Sequence, residues 1–577
     1  MTTECKIGVY VCNCGTNIAK VVDCDAVSEY AKNLPGVAVC KSYKYMCSNP
    51  GQEMIVKDIH ELGLNRVVVA ACSPRMHEPT FRGALSKAGL NPYFLEMANI
   101  REQCSWVHDD HQKATDKSKA LLCAAARRVV FQEPFDPQSV QMNPVSLVIG
   151  GGVAGMTAAL ELADANQPVY LVEKDGKLGG NLTRVDLTSP SLDSAKDLLD
   201  ERIRRATNHP KITVMMNSVV ESISGYIGNF KASIKSGDGA VTEIEMGSIV
   251  VCTGFTEFDA SKVGEYGYGK LQNVITSYDL EKMLKSGQVA MKDGKTPKHV
   301  AIINCVGSRS AKHNRYCSRV CCMSALKYAN EIKSAVPGVY ITNLYTDMNA
   351  FGKGCEEFYL RSAEREIVFM MFDKRNPPVV SAAGKDESFG LLVKMNEVLS
   401  GEEVEIPADM VVLMVGMEAR EDSTQVSRLV NISRDRDGWF IESHPKLDPV
   451  ATTTDGVFIA GACSSPKSIP ETVAQARAAT ARILAKICHG EIWVEPMYAE
   501  IDEERCSGCR MCNDLCPYSA IEFDPVKKRS HIISVMCKSC GTCVAACPSG
   551  AIKARHFTDK QIFEQIEGVL GWDSSHA

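Results

Sequence analysis

Eight cysteines between residues 506 and 547 fall into two copies of one pattern: Cys506, Cys509, Cys512 and Cys516 before Pro517, then Cys537, Cys540, Cys543 and Cys547 before Pro548. C-x2-C-x2-C-x3-C-P written twice is the ligand spacing of a segment that holds two [4Fe–4S] clusters. Three closely spaced thiolates cap one cubane and the fourth cysteine of each run crosses to the other. Cys506, Cys509 and Cys512 then share a cluster with Cys547, and Cys537, Cys540 and Cys543 share one with Cys516. Zinc knuckles or disulfides are the alternative, but neither needs the duplicated run with its prolines. A segment built this way carries electrons.

The rest of the chain must accommodate that segment. At 577 residues it exceeds one core, and three or four domains are expected. Hydrophobic content of 45%, charged content of 23% and a net charge of −6 are ordinary and give no argument for nucleic acid or an anionic membrane as partner. Cysteine is the anomaly, with 25 along a chain whose start does not read as a signal peptide. Metal–thiolate chemistry in a reducing, cytoplasmic setting therefore fits better than disulfides. No transmembrane segment is expected, because the apolar stretch 145–163 contains four glycines and reads as strand, turn and helix.

That stretch is a dinucleotide-binding signature. VSLVIG is a short apolar run of the kind that makes a doubly buried strand. Gly150, Gly152 and Gly155 follow in GGGVAG, then a helical MTAALELADA, then the strand PVYLVEK ending in Glu173 and Lys174. The glycines permit a tight turn, close approach of a pyrophosphate and close helix–strand packing, and the acid accepts hydrogen bonds from a ribose. FAD is favoured over NAD by KLGG, which carries Gly180, and by the segment around Gly461 and Ala462, which resembles the closing FAD-binding segment of the thioredoxin reductase superfamily. SIVVCTGF, with Gly254, and DMVVLMVGMEAR resemble that superfamily's crossover strands. Three departures stand out. Ala462 occupies the place of an acid, HVAIINCVGSR runs into Cys305 where a second glycine fingerprint belongs, and no redox-active C-x2-C or C-x4-C accompanies the flavin segment.

Cys305 is followed by Cys317, Cys321 and Cys322, three of them crowded at an expected helix N-terminus. They are candidates for a third [4Fe–4S] cluster, with free buried thiols as the alternative. In the N-terminal segment, apolar strands (KIGVYVC, VAVCKSY, RVVVAAC, YFLEMA) alternate with helices, an α/β pattern with a parallel sheet. Cys12, Cys14, Cys47 and Cys72 sit at or just beyond strand ends, where sites in open sheets gather. Both a fourth cluster and buried thiols remain open there. Cys5, Cys24, Cys40, Cys104 and Cys123 read as packing residues, and His77, His108 and His111 as loop or surface histidines.

These residues carry a closer resemblance. GVYVCNCGTNI, YMCSNPGQ, AACSPRMHEPTF, GGGVAG, the 305–322 cysteines, DMNAFGKGCEEFY and the twin cysteine runs together resemble the A subunit of heterodisulfide reductase, over almost the whole chain. The resemblance implies an α/β flavoprotein of thioredoxin-reductase type with two dinucleotide-binding domains (144–490). It adds an N-terminal α/β domain (1–143) and a C-terminal two-cluster ferredoxin domain of α+β type (491–577). It implies FAD, an atypical cluster at 305–322 and one more at the N-terminal cysteines. It also implies an oxidoreductase that splits electron pairs between a low-potential ferredoxin and a higher-potential acceptor. The implied partners are other heterodisulfide-reductase-type subunits, a hydrogenase or formate dehydrogenase module, ferredoxin, and a second copy of the chain. The chain departs from the methanogen form in lacking an inserted ferredoxin domain. Lys327 and Lys353 are the candidate cations beside the flavin, with solvated surface lysine as the other reading of each. A stand-alone NAD(P)H:ferredoxin oxidoreductase and a non-catalytic iron–sulfur scaffold are the rival functions.

Overall fold

The computed structural model describes residues 5–136, 138–384, 388–494 and 496–571. The chain divides into two compact units, one made of residues 1–139 with 493–577 and the other of residues 140–492. The flavin-type signature lies wholly in the second and the twin cysteine runs in the first. Among the described residues no helix is long and apolar enough to cross a membrane.

The first unit begins as a four-stranded parallel sheet in the order Val37–Tyr43, Ile7–Cys12, Arg66–Ala71, Leu95–Asn99. Ile7, Val9, Val11, Val68 and Ala70 are fully buried, as continuous β-branched and small apolar runs require when helices cover both faces. The C-terminal part repeats itself: each cysteine run places its third cysteine in a five-residue helix, Met511–Leu515 or Thr542–Ala546. Short antiparallel pairs accompany them, Ala499–Ile501 with Ile552–Ala554 and Ile521–Asp524 with Arg529–Ile532. The two parts of this unit meet where the helix Asp559–Leu570 packs on His111–Val129. Gly568 makes the approach possible, since a Cβ there would lie 2.5 Å from Ala124 Cα. Arg127 binds Glu564 and Glu567 along the same seam.

The second unit contains two parallel five-stranded sheets. One has the order Val457–Ile459, Ser248–Val251, Ser146–Ile149, Val169–Val172, Ile212–Met215. The other has the order Val274–Thr276, Met410–Val415, His299–Val306, Tyr340–Tyr345, Ile367–Met371. Each carries a three-stranded antiparallel appendage. In both sheets the first strand of the nucleotide-binding pattern lies inside the sheet, with connections leaving in opposite directions. That arrangement opens a crevice at the carboxyl ends of the strands, where ligands of such folds bind. The fold is therefore the α/β, doubly dinucleotide-binding architecture expected for residues 144–490.

Candidate functional site

A cavity of about 1160 Å³ opens at the carboxyl ends of Ser146–Ile149 and Ser248–Val251. Gly150, Gly152, Glu173, Lys174, Gly254 and Ala462 line it, as does Gly180 of the second glycine turn. Each glycine has a distinct task. A Cβ on Gly155 would lie 1.8 Å from Gly150 O, so this glycine seats the helix Val153–Asp164 against the loop and does not reach the cavity. Gly152 caps that helix and a Cβ there would meet nothing within 4 Å, so its missing side chain leaves open space. Gly179 and Gly180 take φ of +119° and +54°, and Gly179 N–H donates to Gly151 O at 2.9 Å, which fastens the second glycine turn beside the first.

Glu173 holds both ends of this cradle. Its carboxylate accepts Gly151 N–H at 2.6 Å and Asp175 N–H at 2.9 Å. Lys174 points away to an ion pair with Asp422 at 3.1 Å. A second helix, Ile469–His489, starts at the cavity with a capping box between Ser468 and Glu471. Gly461 stands just outside, its N–H donating to Gln475 Oε1 at 2.8 Å. Two helix N-termini and a glycine cradle with room for a pyrophosphate match the donor set that an FAD requires.

Lys327 and Lys353 both line the cavity but differ in setting. Lys353 is exposed. Lys327 is 3% exposed and binds Glu281 Oε1 at 2.5 Å and Leu187 O at 3.0 Å. Glu281 also accepts the Tyr328 hydroxyl at 2.8 Å and Asp186 N–H at 2.9 Å. Two carboxylates thus share one buried ammonium, because Glu331 lies 3.7 Å from Lys327 on its other side. Glu331 Oε2 is buried without a hydrogen-bond partner. Burial pushes the Glu331 carboxyl up to about 7, against the pull of Lys327, and Glu281 and Asp186 push it further. A carboxyl raised in the folded state binds its proton more tightly there than in the unfolded chain. Stability from this group therefore falls as pH rises from the usual glutamate range through about 7. Glu331→Gln is expected to remove that decline, ~3 kcal/mol between pH 4 and 8. The check is the denaturation midpoint of variant minus parent across that range, since Glu96, pushed up to about 7 by burial, contributes equally to both.

The 305–322 cysteines gather against this wall. Cys305 lies at a register break in the pairing of His299–Val306 with Met410–Val415 and adopts φ +64°. The extra residue re-aims its side chain, as bulges beside sites do. Cys321 and Cys322 open the helix Cys321–Ala335, and Cys321 also lines the cavity. Burial drives the Cys321 thiol well above its usual range, and Cys305, Cys322 and Cys317 add to the effect. Cys322 is pushed up to about 11, chiefly by burial. Donors already face these sulfurs: Asn349 Nδ2 and Arg319 N–H each lie 3.3 Å from Cys317 Sγ, and Thr346 Oγ1 is 3.5 Å from Cys305 Sγ. Four crowded, desolvated thiols that resist ionisation alone are suited to iron, which supplies the missing positive charge. This set stands where a pyridine-nucleotide fingerprint would stand, between the end of a central strand and the start of its helix.

In the first unit, Cys12 ends one strand, Cys72 follows another and Cys47 follows a third. Burial raises the Cys12 thiol, and Cys14 and Cys47 raise it further. Cys72 reaches about 11 by burial, with Cys12 and Cys14 again among its neighbours. The four converge at one edge of the sheet. Among the C-terminal cysteines, Cys506, Cys509, Cys512 and Cys547 line one small pocket. Cys543 is pushed up to about 11 by burial and then by Cys537, Cys516, Cys540 and Cys512. Backbone N–H groups meet sulfurs symmetrically in the two halves, Ala520 to Cys516 and Ala551 to Cys547, both at 3.3 Å. All 25 cysteines are free. Among the described residues no three His, Cys, Asp or Glu side chains close around a single metal ion. A cubane, which spreads its ligands over a larger volume, does not need them to.

Several lining groups escaped the sequence reading. Glu281 sits on an amphipathic helix, Ser277–Lys285, and carries no motif. Arg319, which binds Glu471 at 2.5 Å, and the half-buried Lys467 come from loops. The histidines His77 and His108 are half-buried, and His111 is exposed.

Residues 146–480 match the family model described as pyridine nucleotide-disulphide oxidoreductase, and residues 505–552 match a 4Fe-4S dicluster domain. An iron-sulfur A subunit of the CoB–CoM heterodisulfide reductase of Methanopyrus kandleri, the second of two in that organism, is 41% identical, covering 98% of this chain and 99% of its own. That alignment runs over 654 positions, more than the 577 residues here, so the relative has residues without counterpart. The A subunit of the H(2):CoB-CoM heterodisulfide,ferredoxin reductase of Methanothermobacter thermautotrophicus is 40% identical, with 98% of each chain covered. The A subunit of the H(2)/formate:CoB-CoM heterodisulfide,ferredoxin reductase of Methanococcus maripaludis is 37% identical, again over 98% of both. Among solved structures, a thioredoxin reductase of T. acidophilum covers 60% of this chain and 100% of its own at 18% identity, with a TM-score of 0.41.

Proposed function

The chain belongs to the family of heterodisulfide reductase A subunits, and we propose that it divides electron pairs between a low-potential ferredoxin and a higher-potential acceptor within a complex of that type. It is an oxidoreductase of flavin and iron–sulfur type. Bound FAD supplies two-electron chemistry and bound [4Fe–4S] clusters supply one-electron transfer. The chain's own residues hold and separate these groups. Gly150, Gly152, Gly180 and Gly254 leave room for the dinucleotide, and Glu173 fixes the loop that cradles it. Lys327 keeps a positive charge at the cavity wall, and Lys353 offers a second, exposed one at the rim. The cysteine runs at 506–516 and 537–547 hold two clusters, Cys305, Cys317, Cys321 and Cys322 a third, and Cys12, Cys14, Cys47 and Cys72 a fourth.

The observation that carries this reading is Cys321, whose side chain belongs both to the cavity wall and to the four-cysteine set. A two-electron site and a one-electron site that share a wall are what the division of electron pairs needs. The relatives' names mention hydrogen, formate, ferredoxin and the CoB–CoM heterodisulfide. We carry over from them a hydrogenase or formate dehydrogenase donor module, ferredoxin and further subunits as partners. A second copy of the chain and a cytoplasmic setting complete the proposal. Anaerobic quantification of iron, sulfide and flavin tests it. One FAD and about sixteen irons per chain are expected; about eight irons would remove both cluster sites beyond the twin runs.

A further inference from the structure

Arg101 opens a single π-helical turn, Arg101–Ser105, directly after the strand Leu95–Asn99. Such turns recur at functional sites. Here the turn carries the guanidinium back over the edge of the sheet where Cys12, Cys14, Cys47 and Cys72 meet. Arg101 is 11% exposed. Its Nη1 donates to Cys14 Sγ at 3.6 Å, its Nη2 lies 3.2 Å from Met76 Sδ, and the Trp106 ring lies beneath it at 4.9 Å. Glu102 flanks it, accepting from Nη2 at 2.8 Å and Nε at 3.2 Å, and accepts Ser73 N–H with its other oxygen. The sulfurs of the other cysteine sets are met instead by backbone N–H groups, amides and hydroxyls.

We infer that Arg101 is a positioning residue that raises the reduction potential of the N-terminal cluster, with Glu102 as the opposing charge that limits the rise. The inference rests on the proposed cluster at Cys12, Cys14, Cys47 and Cys72. An added electron increases negative charge on the thiolate-bound group, and a half-desolvated guanidinium in contact with one thiolate favours the reduced form. Hydrogen bonds and charges around the sulfurs are the protein's means of setting such potentials.

The test is a dithionite titration of the full-length chain followed by EPR, with Cys72→Ala identifying the N-terminal signal. Arg101→Gln is expected to lower that midpoint by about tenfold in the reduction equilibrium, ~59 mV for a one-electron couple, at unchanged iron content. Arg101→Lys, which keeps the charge, is expected to recover most of the shift. Glu102→Gln, which still accepts Ser73 N–H, is expected to move the midpoint the opposite way. With about sixteen irons in the parent, an unchanged midpoint in Arg101→Gln overturns the inference. If Arg101→Gln loses iron, the sign of the Glu102→Gln shift decides, and a fall or no change overturns it. A parent with about twelve irons and no signal sensitive to Cys72 removes the cluster proposal itself, a distinct result.

Discussion

Cys547→Ser is expected to remove about four irons per chain, and the EPR signal that disappears is expected to be the one lost in Cys506→Ser. Cys516→Ser is expected to abolish the other signal. Cys547 lies at the end of the second cysteine run, so a cluster built from each run alone would give the reverse pairing. The pocket lined by Cys506, Cys509, Cys512 and Cys547 argues for the crossed arrangement, as does the closeness of Cys516 to Cys543. Cys547 is also primed as a ligand. Burial raises its thiol, but hydrogen bonds from the Ser549 hydroxyl and from the N–H groups of Ala551, Ser549 and Ile552 outweigh this and bring it below its usual range. A thiol that ionises early binds iron early. Loss of the Cys537-type signal in Cys547→Ser would sink the crossed pairing.

Gly155→Ala and Gly152→Ala are expected to empty the flavin cavity for different reasons. At Gly155 the new methyl would lie 1.8 Å from Gly150 O, inside van der Waals contact with backbone. The helix Val153–Asp164 must move, at a cost of about 3 kcal/mol or more. Both the thermal midpoint and the bound flavin should fall. At Gly152 the methyl meets no protein atom, so the fold should keep its stability while the dinucleotide binds at least about a hundredfold more weakly, ~2.8 kcal/mol. Bound flavin per chain after gel filtration, beside the melting curve, separates the two. Full flavin in Gly152→Ala would mean that the pyrophosphate does not lie in this cradle.

The parts of the molecule legible from the chain are those written in local spacing. GGGVAG after an apolar strand, and cysteines two and three residues apart, encode their geometry within one turn of backbone. Cys305 marks the limit. The sequence showed a cysteine in place of a glycine, but its re-aiming depends on an extra residue against Met410–Val415, about a hundred positions away in the chain. The Lys327–Glu281 pair joins residues 46 apart on two helices, and Glu281 has the look of any surface glutamate. Lys327 itself stood between two readings until burial against Leu187 and Glu281 separated it from Lys353. Arg101 carried no signal, since the π-helical turn that aims it follows from packing of the preceding strand.

The seam between His111–Val129 and Asp559–Leu570 has a consequence for biosynthesis. Arg127 and Glu567 are 440 residues apart. During translation at ordinary rates, the alanine-rich face of the first helix waits on the order of tens of seconds for its cover. The intervening unit, residues 140–492, is complete before that cover exists, and is therefore free to fold and to acquire its nucleotide while the polypeptide is still being made. The iron-binding unit, assembled from the earliest and latest segments to emerge, closes only afterwards. Maturation is thus ordered by the ribosome: flavin first, metal last.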